Sequence, residues 1–183
     1  MKKVLFIDRD GTILQEPIID EQIDSFEKFE FLPYTISALQ KIVQNTDYEL
    51  VMVTNQDGLG TASFPEETFW PVQNTMLSVL KSEGVVFSDM IIDDSFEHEN
   101  KPTRKPGIAL LGKYLSGDYD MTKSYVIGDR NTDAQLAENL GCKSLIFKGK
   151  HLNETTLPAS CEMVVESWLE IAQRLTFPLR FAH

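Results

Sequence analysis

Two acids, Asp8 and Asp10, stand two residues apart directly after the apolar run Lys3 to Ile7, and Asp129 and Asp133 follow a second such run, Ser124 to Ile127. Clustered carboxylates can hold a divalent cation, attack an electrophile, or carry a proton to and from a reacting group. Like charges 4 Å apart repel by about 4 kcal/mol at an effective dielectric near 20, so bringing Asp8, Asp10 and Asp129 together requires a cation. With hard oxygens and neither histidine nor thiolate in the set, that cation is expected to be Mg²⁺. Each acid alone would pass for a solvated strand end or a helix cap. Their recurrence after separate strands argues for a common site. Gly11 lets the chain turn sharply past a bound anion. Thr54 and Asn55, at the end of a further apolar run, can donate hydrogen bonds to phosphoryl oxygens. Lys105, ahead of Pro106, can stabilise negative charge on a phosphoryl group and its attacker.

The elements that must position these residues follow from apolar spacing. Lys3 to Ile7, Tyr48 to Thr54, Phe87 to Ile92, Ser124 to Ile127 and Ser144 to Phe147 predict five buried strands. Ile36, Leu39, Ile42 and Val43 predict a helix over 33–45, and Ser63-Phe64-Pro65-Glu66 a capping box that opens a helix through Phe69, Val72, Met76, Val79 and Leu80 to Gly84. Further helices are expected around Ile108, Leu111 and Leu115, around Ala134, Ala137 and Leu140, and over 166–175. Alternating strands and helices imply an α/β, Rossmann-like parallel sheet with helices on both faces. In such a sheet ligands bind outside the carboxyl ends of the strands, where the acids fall.

Composition narrows the function. The 183 residues hold 17 Lys plus Arg against 28 Asp plus Glu, a net charge of −11, with no basic stripe, so nucleic acid is not an expected partner. No apolar stretch approaches membrane-spanning length, and the run after Lys2-Lys3 is too short for a signal peptide. Two cysteines, Cys142 and Cys161, make no CxxC pair and no disulfide framework. These features predict a cytoplasmic protein; its substrate, given the phosphoryl-binding roles open to Thr54, Asn55 and Lys105, is expected to be a small-molecule phosphate ester.

In combination, Asp8-x-Asp10-Gly11-Thr12, Thr54-Asn55, Lys105-Pro106 and Gly128-Asp129-x-x-Thr132-Asp133 resemble the haloacid dehalogenase superfamily of phosphohydrolases. The resemblance covers residues 1–150. It implies that Asp8 is the nucleophile and Asp10 the general acid and base. It also implies Mg²⁺ held by Asp8, the main-chain carbonyl of Asp10, and Asp129, with Gly11, Thr12 and Asp133 in support. Residues 13–32 leave room for a small flap and no large cap domain. A phosphoaspartate signalling module shares the carboxylates, the Thr and the Lys, but lacks a base two positions after the nucleophile.

Within the superfamily, Phe6 to Thr12, Glu16-Pro17, Thr54 to Thr61 and Tyr125 to Asp133 look most like the histidinol-phosphate phosphatases; heptose-bisphosphate phosphatases share Arg9 and Thr54-Asn55-Gln56 and are the alternative. That likeness implies a substrate bearing an ammonium and an imidazole, for which Glu16 is the expected partner, with Arg104 and Gln56 as further contacts. Such phosphatases commonly hold zinc in the loop before Lys105. Here the corresponding positions are Asp93, Ser95, Lys101 and Thr103, so a thiolate site cannot form and no structural zinc is expected. Hydrogen bonds or ion pairs among those residues are expected to order the loop instead, with His98 facing solvent. Residues 1–165 are expected to form the phosphatase domain and 166–183 a C-terminal helix and tail. Its Arg180-Phe181-Ala182-His183 is similar to the opening of an imidazoleglycerol-phosphate dehydratase, which would make the tail a linker to such a domain.

Overall fold

The computed structural model describes residues 1–177. Six parallel strands form one sheet in the order β3-β2-β1-β4-β5-β6. They are β1 (Lys3–Ile7), β2 (Tyr48–Asn55), β3 (Phe87–Asp93), β4 (Tyr125–Gly128), β5 (Lys143–Phe147) and β6 (Cys161–Val165). Four helices pack on it: α1 (Thr35–Asn45), α2 (Glu66–Ser82), α3 (Asn131–Leu140) and α4 (Trp168–Thr176). Because successive side chains of a strand point to opposite faces, β1 divides itself between two cores. Leu5 and Ile7 join α1, α2 and α4, whereas Val4 and Phe6 join α3. The chain winds one way from β1 to β3 and the other way from β4 to β6. The switch therefore lies between β1 and β4, the strands that end at Asp8 and Asp129.

Three elements differ from the sequence expectation. The strand β6 was not foreseen: its five residues are mostly half-buried at the sheet edge and follow a long polar stretch, so its apolar signal is weak. Residues Ala109–Leu115 form a 3₁₀ helix rather than an α-helix. Its buried side chains, Leu111 and Tyr114, are three apart, the period of a 3₁₀ turn, and Leu115 is left exposed. The capping box at Ser63 does not form. Ser63 Oγ pairs with Thr61 Oγ1 at 2.9 Å, and α2 starts at Glu66 behind Pro65.

The C-terminal helix expected over 166–175 is present as α4 and packs on the sheet. In α4, Trp168, Ile171 and Ala172 are buried against the sheet, and Trp168 Nε1 donates to the Thr12 carbonyl at 2.7 Å. Residues 178–183, including the Arg180-Phe181-Ala182-His183 sequence, lie outside the described residues. Among the described residues no helix is long and apolar enough to cross a membrane. Residues 13–32 carry only isolated bridges and one 3₁₀ turn, Phe26–Lys28, with Ile13, Leu14 and Ile23 buried beneath them.

Candidate active site

Asp8 leaves the end of β1 with its amide bonded to the Ile127 carbonyl of β4 at 2.9 Å, which ties the two strand ends together. Its Oδ1 accepts from the Arg9 amide at 2.7 Å and from Lys105 Nζ at 2.8 Å. The Arg9 carbonyl then accepts from the Ile13 and Leu14 amides at 2.8 and 3.0 Å, closing residues 9–14 into a tight turn. Gly11 has φ +71°, and a Cβ there would stand 2.2 Å from Asp129 Oδ2. Only glycine lets the two carboxylate-bearing turns approach so closely. Gly128 does the same for Asp133, whose side-chain carbon would meet a Cβ at 2.2 Å.

Carboxylate oxygens of Asp8, Asp129 and Asp133 lie within 4.8 Å of one another, all three side chains buried. Asp133 is fully engaged: Oδ1 accepts from Lys105 Nζ at 2.7 Å, and Oδ2 from the amides of Asp129 and Arg130 at 3.2 and 3.1 Å. It therefore orients the lysine and the turn. Asp129 is not: its Oδ1 is buried and has no hydrogen-bond partner. Burial first, then the charges of Asp8 and Asp133, push the Asp129 carboxyl up to about 8. Burial also raises Asp133, against the opposing charge of Lys105. Burial alone would lower the Lys105 ammonium, but Asp133 and Asp8 outweigh it and hold Lys105 raised and charged. An orphaned carboxylate oxygen facing two other acids is a donor set that fits a hard divalent cation.

Asp10 is held on both sides, with Arg9 Nη1 on Oδ1 and Gln56 Nε2 on Oδ2, each at 2.6 Å. Burial, ahead of the opposing Arg9 charge, keeps its carboxyl raised. Gln56 Nε2 also donates to Thr54 Oγ1 at 2.8 Å, so Gln56 faces Asp10 and Thr54. Asn55 accepts the Lys105 amide on Oδ1 at 3.0 Å and donates Nδ2 to the Lys105 carbonyl at 3.3 Å, which sets the lysine loop against β2. Thr12 is buried behind the turn.

A cleft of about 720 Å³ opens above these groups, lined among others by Asp8, Asp10, Thr54, Asn55, Gln56 and Lys105. Glu16 and Arg104 also line it, yet neither is free. Glu16 Oε1 takes Arg130 Nη2 at 2.5 Å and Oε2 takes His151 Nε2 at 2.9 Å, with Lys150 Nζ at 3.6 Å. Arg104 forks onto both oxygens of Asp57, at 2.6 and 3.2 Å, and donates to the Ser95 carbonyl at 2.7 Å. Arg130 lies inside the Gly128 to Asp133 motif, at a position the motif leaves open. His151, Lys150 and Glu21 had no sequence signal; they meet Glu16 and Arg130 only because the turn after β5 folds over residues 16–21.

The loop before Lys105 is organised around Asp93. Its carboxylate accepts from the Ser95 amide at 3.0 Å and from the hydroxyls of Ser95 and Thr103. Lys101 pairs with Glu99 at 3.1 Å, and the His98 ring stacks on Phe96.

The chain is similar to known proteins in sequence and in fold. The chain is 56% identical over 147 residues to the histidine biosynthesis bifunctional protein HisB of Spirosoma linguale, covering 80% of this chain and 38% of that protein. It is 49% identical over 177 residues to the protein of the same name in Bacteroides fragilis, covering 95% and 47%. It thus spans less than half the length of these curated relatives. The D,D-heptose 1,7-bisphosphate phosphatase of B. bronchiseptica, solved with magnesium and phosphate, superposes with a TM-score of 0.80 at 24% identity, over 96% of this chain and 98% of that one. No protein-family model matches the chain. Its fold is that of the phosphatase structure, and its four ordered motifs resemble those of the haloacid dehalogenase superfamily. Within that superfamily it is similar to the histidinol-phosphatase part of the HisB proteins.

Proposed function

We propose that the chain is a Mg²⁺-dependent phosphomonoesterase that hydrolyses L-histidinol phosphate to L-histidinol and phosphate through an aspartyl-phosphate on Asp8. The observation that carries this reading is the meeting of Asp8, Asp129, Asp133 and Lys105 at the β1/β4 switch, with Asp10 on the same cleft and one oxygen of Asp129 left without a hydrogen bond, Arg130 Nε standing 3.9 Å from it. The Asp8 carboxylate attacks phosphorus in line, and the ester P–O bond breaks as Asp10 gives its proton to the departing alkoxide. Water, deprotonated by Asp10, then attacks the acyl phosphate and releases inorganic phosphate. Lys105 holds Asp8 in its rotamer and stabilises the added charge, and Thr54 and the remaining Asn55 amide hydrogen face the phosphoryl oxygens. Mg²⁺ held by Asp8, the Asp10 carbonyl and Asp129 would neutralise phosphate charge.

Two HisB relatives near half identity support histidinol phosphate over other small esters. The heptose-bisphosphate phosphatase likeness, at 24% identity, speaks to the fold and keeps sugar bisphosphates as the second reading. The HisB relatives are named bifunctional and are matched over less than half their length, which supports a further domain in the native protein and a role in histidine biosynthesis; we propose that this domain is a dehydratase and that the protein works in the cytoplasm. No structural zinc is proposed, since Asp93, Ser95, Lys101 and Thr103 replace the thiolate positions. A Mg²⁺-dependent phosphate-release screen with histidinol phosphate, a heptose bisphosphate and a 3′-phosphorylated oligonucleotide tests the assignment. Preference for histidinol phosphate is expected; preference for either other ester overturns it.

A further inference from the structure

Arg9 stands between the two acids of the first motif, and nothing so far explains its side chain. The residue is wholly buried, and its guanidinium lies 4.9 Å above the Phe69 ring. Nε and Nη2 have no hydrogen-bond partner; the one ion pair it makes is Nη1 to Asp10 Oδ1 at 2.6 Å. A buried ion pair is weak support for stability, because desolvation of both groups offsets most of its attraction, and an apolar side chain would fill the same space against Phe69. The other oxygen of Asp10 is held by Gln56, which is itself braced on Thr54 Oγ1. Gln56 was expected to touch substrate; its amide nitrogen is instead spent on Asp10 and Thr54.

We infer that Arg9 and Gln56 are positioning residues, a two-sided clamp that holds the Asp10 carboxyl by both oxygens where it can hand its proton to the leaving alkoxide. The inference rests on the proposed phosphatase reading and extends it to Arg9, which lies outside the cleft lining, and to Gln56, whose amide nitrogen is engaged by Asp10 and Thr54. Asp10 has its Oδ1 on β1's turn and its Oδ2 on the end of β2, so its rotamer is referred to two strands at once. Releasing either side lets the carboxyl turn away from the departing oxygen without disturbing Asp8 or Lys105.

The test reads kcat/KM, which covers the steps up to departure of the alcohol and leaves out the later attack of water, where Asp10 acts as base whichever ester was bound. An alkyl phosphate such as histidinol phosphate needs the acid; p-nitrophenyl phosphate expels a stable phenolate and does not. General acid catalysis contributes about 10²- to 10⁴-fold, so Arg9→Met and Gln56→Met should each lower kcat/KM for histidinol phosphate by about 100-fold. Each should change kcat/KM for p-nitrophenyl phosphate by less than about 5-fold. Arg9→Lys, which keeps one charged donor, should recover part of the alkyl-ester rate. Equal losses on both esters, or none, would overturn the clamp. Asp10→Asn serves as reference: the same selectivity, and larger, is expected. If it fails to discriminate between the esters, the acid role of Asp10 fails and the clamp with it, an outcome distinct from failure of Arg9 and Gln56 alone. Should Arg9→Met not fold, Gln56→Met decides.

Discussion

At the scale of single residues, the chemistry depends on which side chains are spent and which are free. Asp133 has each oxygen taken by Lys105 or main-chain amides, whereas Asp129 Oδ1 has no hydrogen-bond partner and only Arg130 Nε near it, at 3.9 Å. Two acids four residues apart thus divide into one that orients and one that can ligate. Glu16 belongs with the spent group. Its pairing with Arg130 and His151 makes it a buttress of the cleft wall, so Glu16→Gln should raise KM for histidinol phosphate and for a neutral phosphate ester by similar factors, of order 10-fold for a lost charge-assisted bond worth about 1.5 kcal/mol. Steady-state kinetics on both esters checks this; a rise confined to histidinol phosphate would restore Glu16 as a direct contact. The acids and Lys105 were legible in the sequence because a short motif after each strand carries them. The Glu16 pairings were not. They join residues 114 and 135 positions apart, and no local spacing encodes such a meeting.

At the scale of elements, strands and loops form a chain of support behind the first turn. Asn55 at the end of β2 fixes the Lys105 main chain, the Ile127 carbonyl of β4 fixes Asp8, and Trp168 of α4 fixes Thr12. The last of these makes the C-terminal helix part of the catalytic scaffold. Removing a fully buried aromatic costs about 3–5 kcal/mol, so Trp168→Ala should lower the denaturation midpoint strongly, as urea unfolding followed by circular dichroism will record. Trp168→Phe keeps most of the packing and should lose about 1 kcal/mol for the Nε1 hydrogen bond. Five of the six strands and all four α-helices could be read from apolar spacing, since buried strands between helices leave dense, short apolar runs. β6 escaped because four of its five residues are only half-buried. The 3₁₀ helix Ala109–Leu115 was mistaken for an α-helix because periods of 3.0 and 3.6 cannot be told apart over two turns.

At the scale of the whole molecule, an acidic chain gathers three buried carboxylates at the switch of its sheet and leaves that concentration of charge for a cation to offset. Burial and its neighbours raise Asp129 from 3.8 to about 8. A carboxyl raised in the folded state gives stability that is present below its unfolded pKa and is lost as pH rises through the folded one. The ion-free protein should therefore become less stable between about pH 4 and pH 8 on account of this group. Mg²⁺ should raise Tm more at pH 8 than at pH 5, and chelation should reverse the gain; an equal effect at both pH values would contradict the placement of the ion beside Asp129. The central claim is that Asp8 itself bonds to phosphorus. Borohydride added during turnover of histidinol phosphate reduces an aspartyl-phosphate to homoserine, and peptide mapping by mass spectrometry reads where. Homoserine at position 8 is the expected result; an unmodified Asp8 peptide from enzyme trapped while turning over would contradict the covalent route.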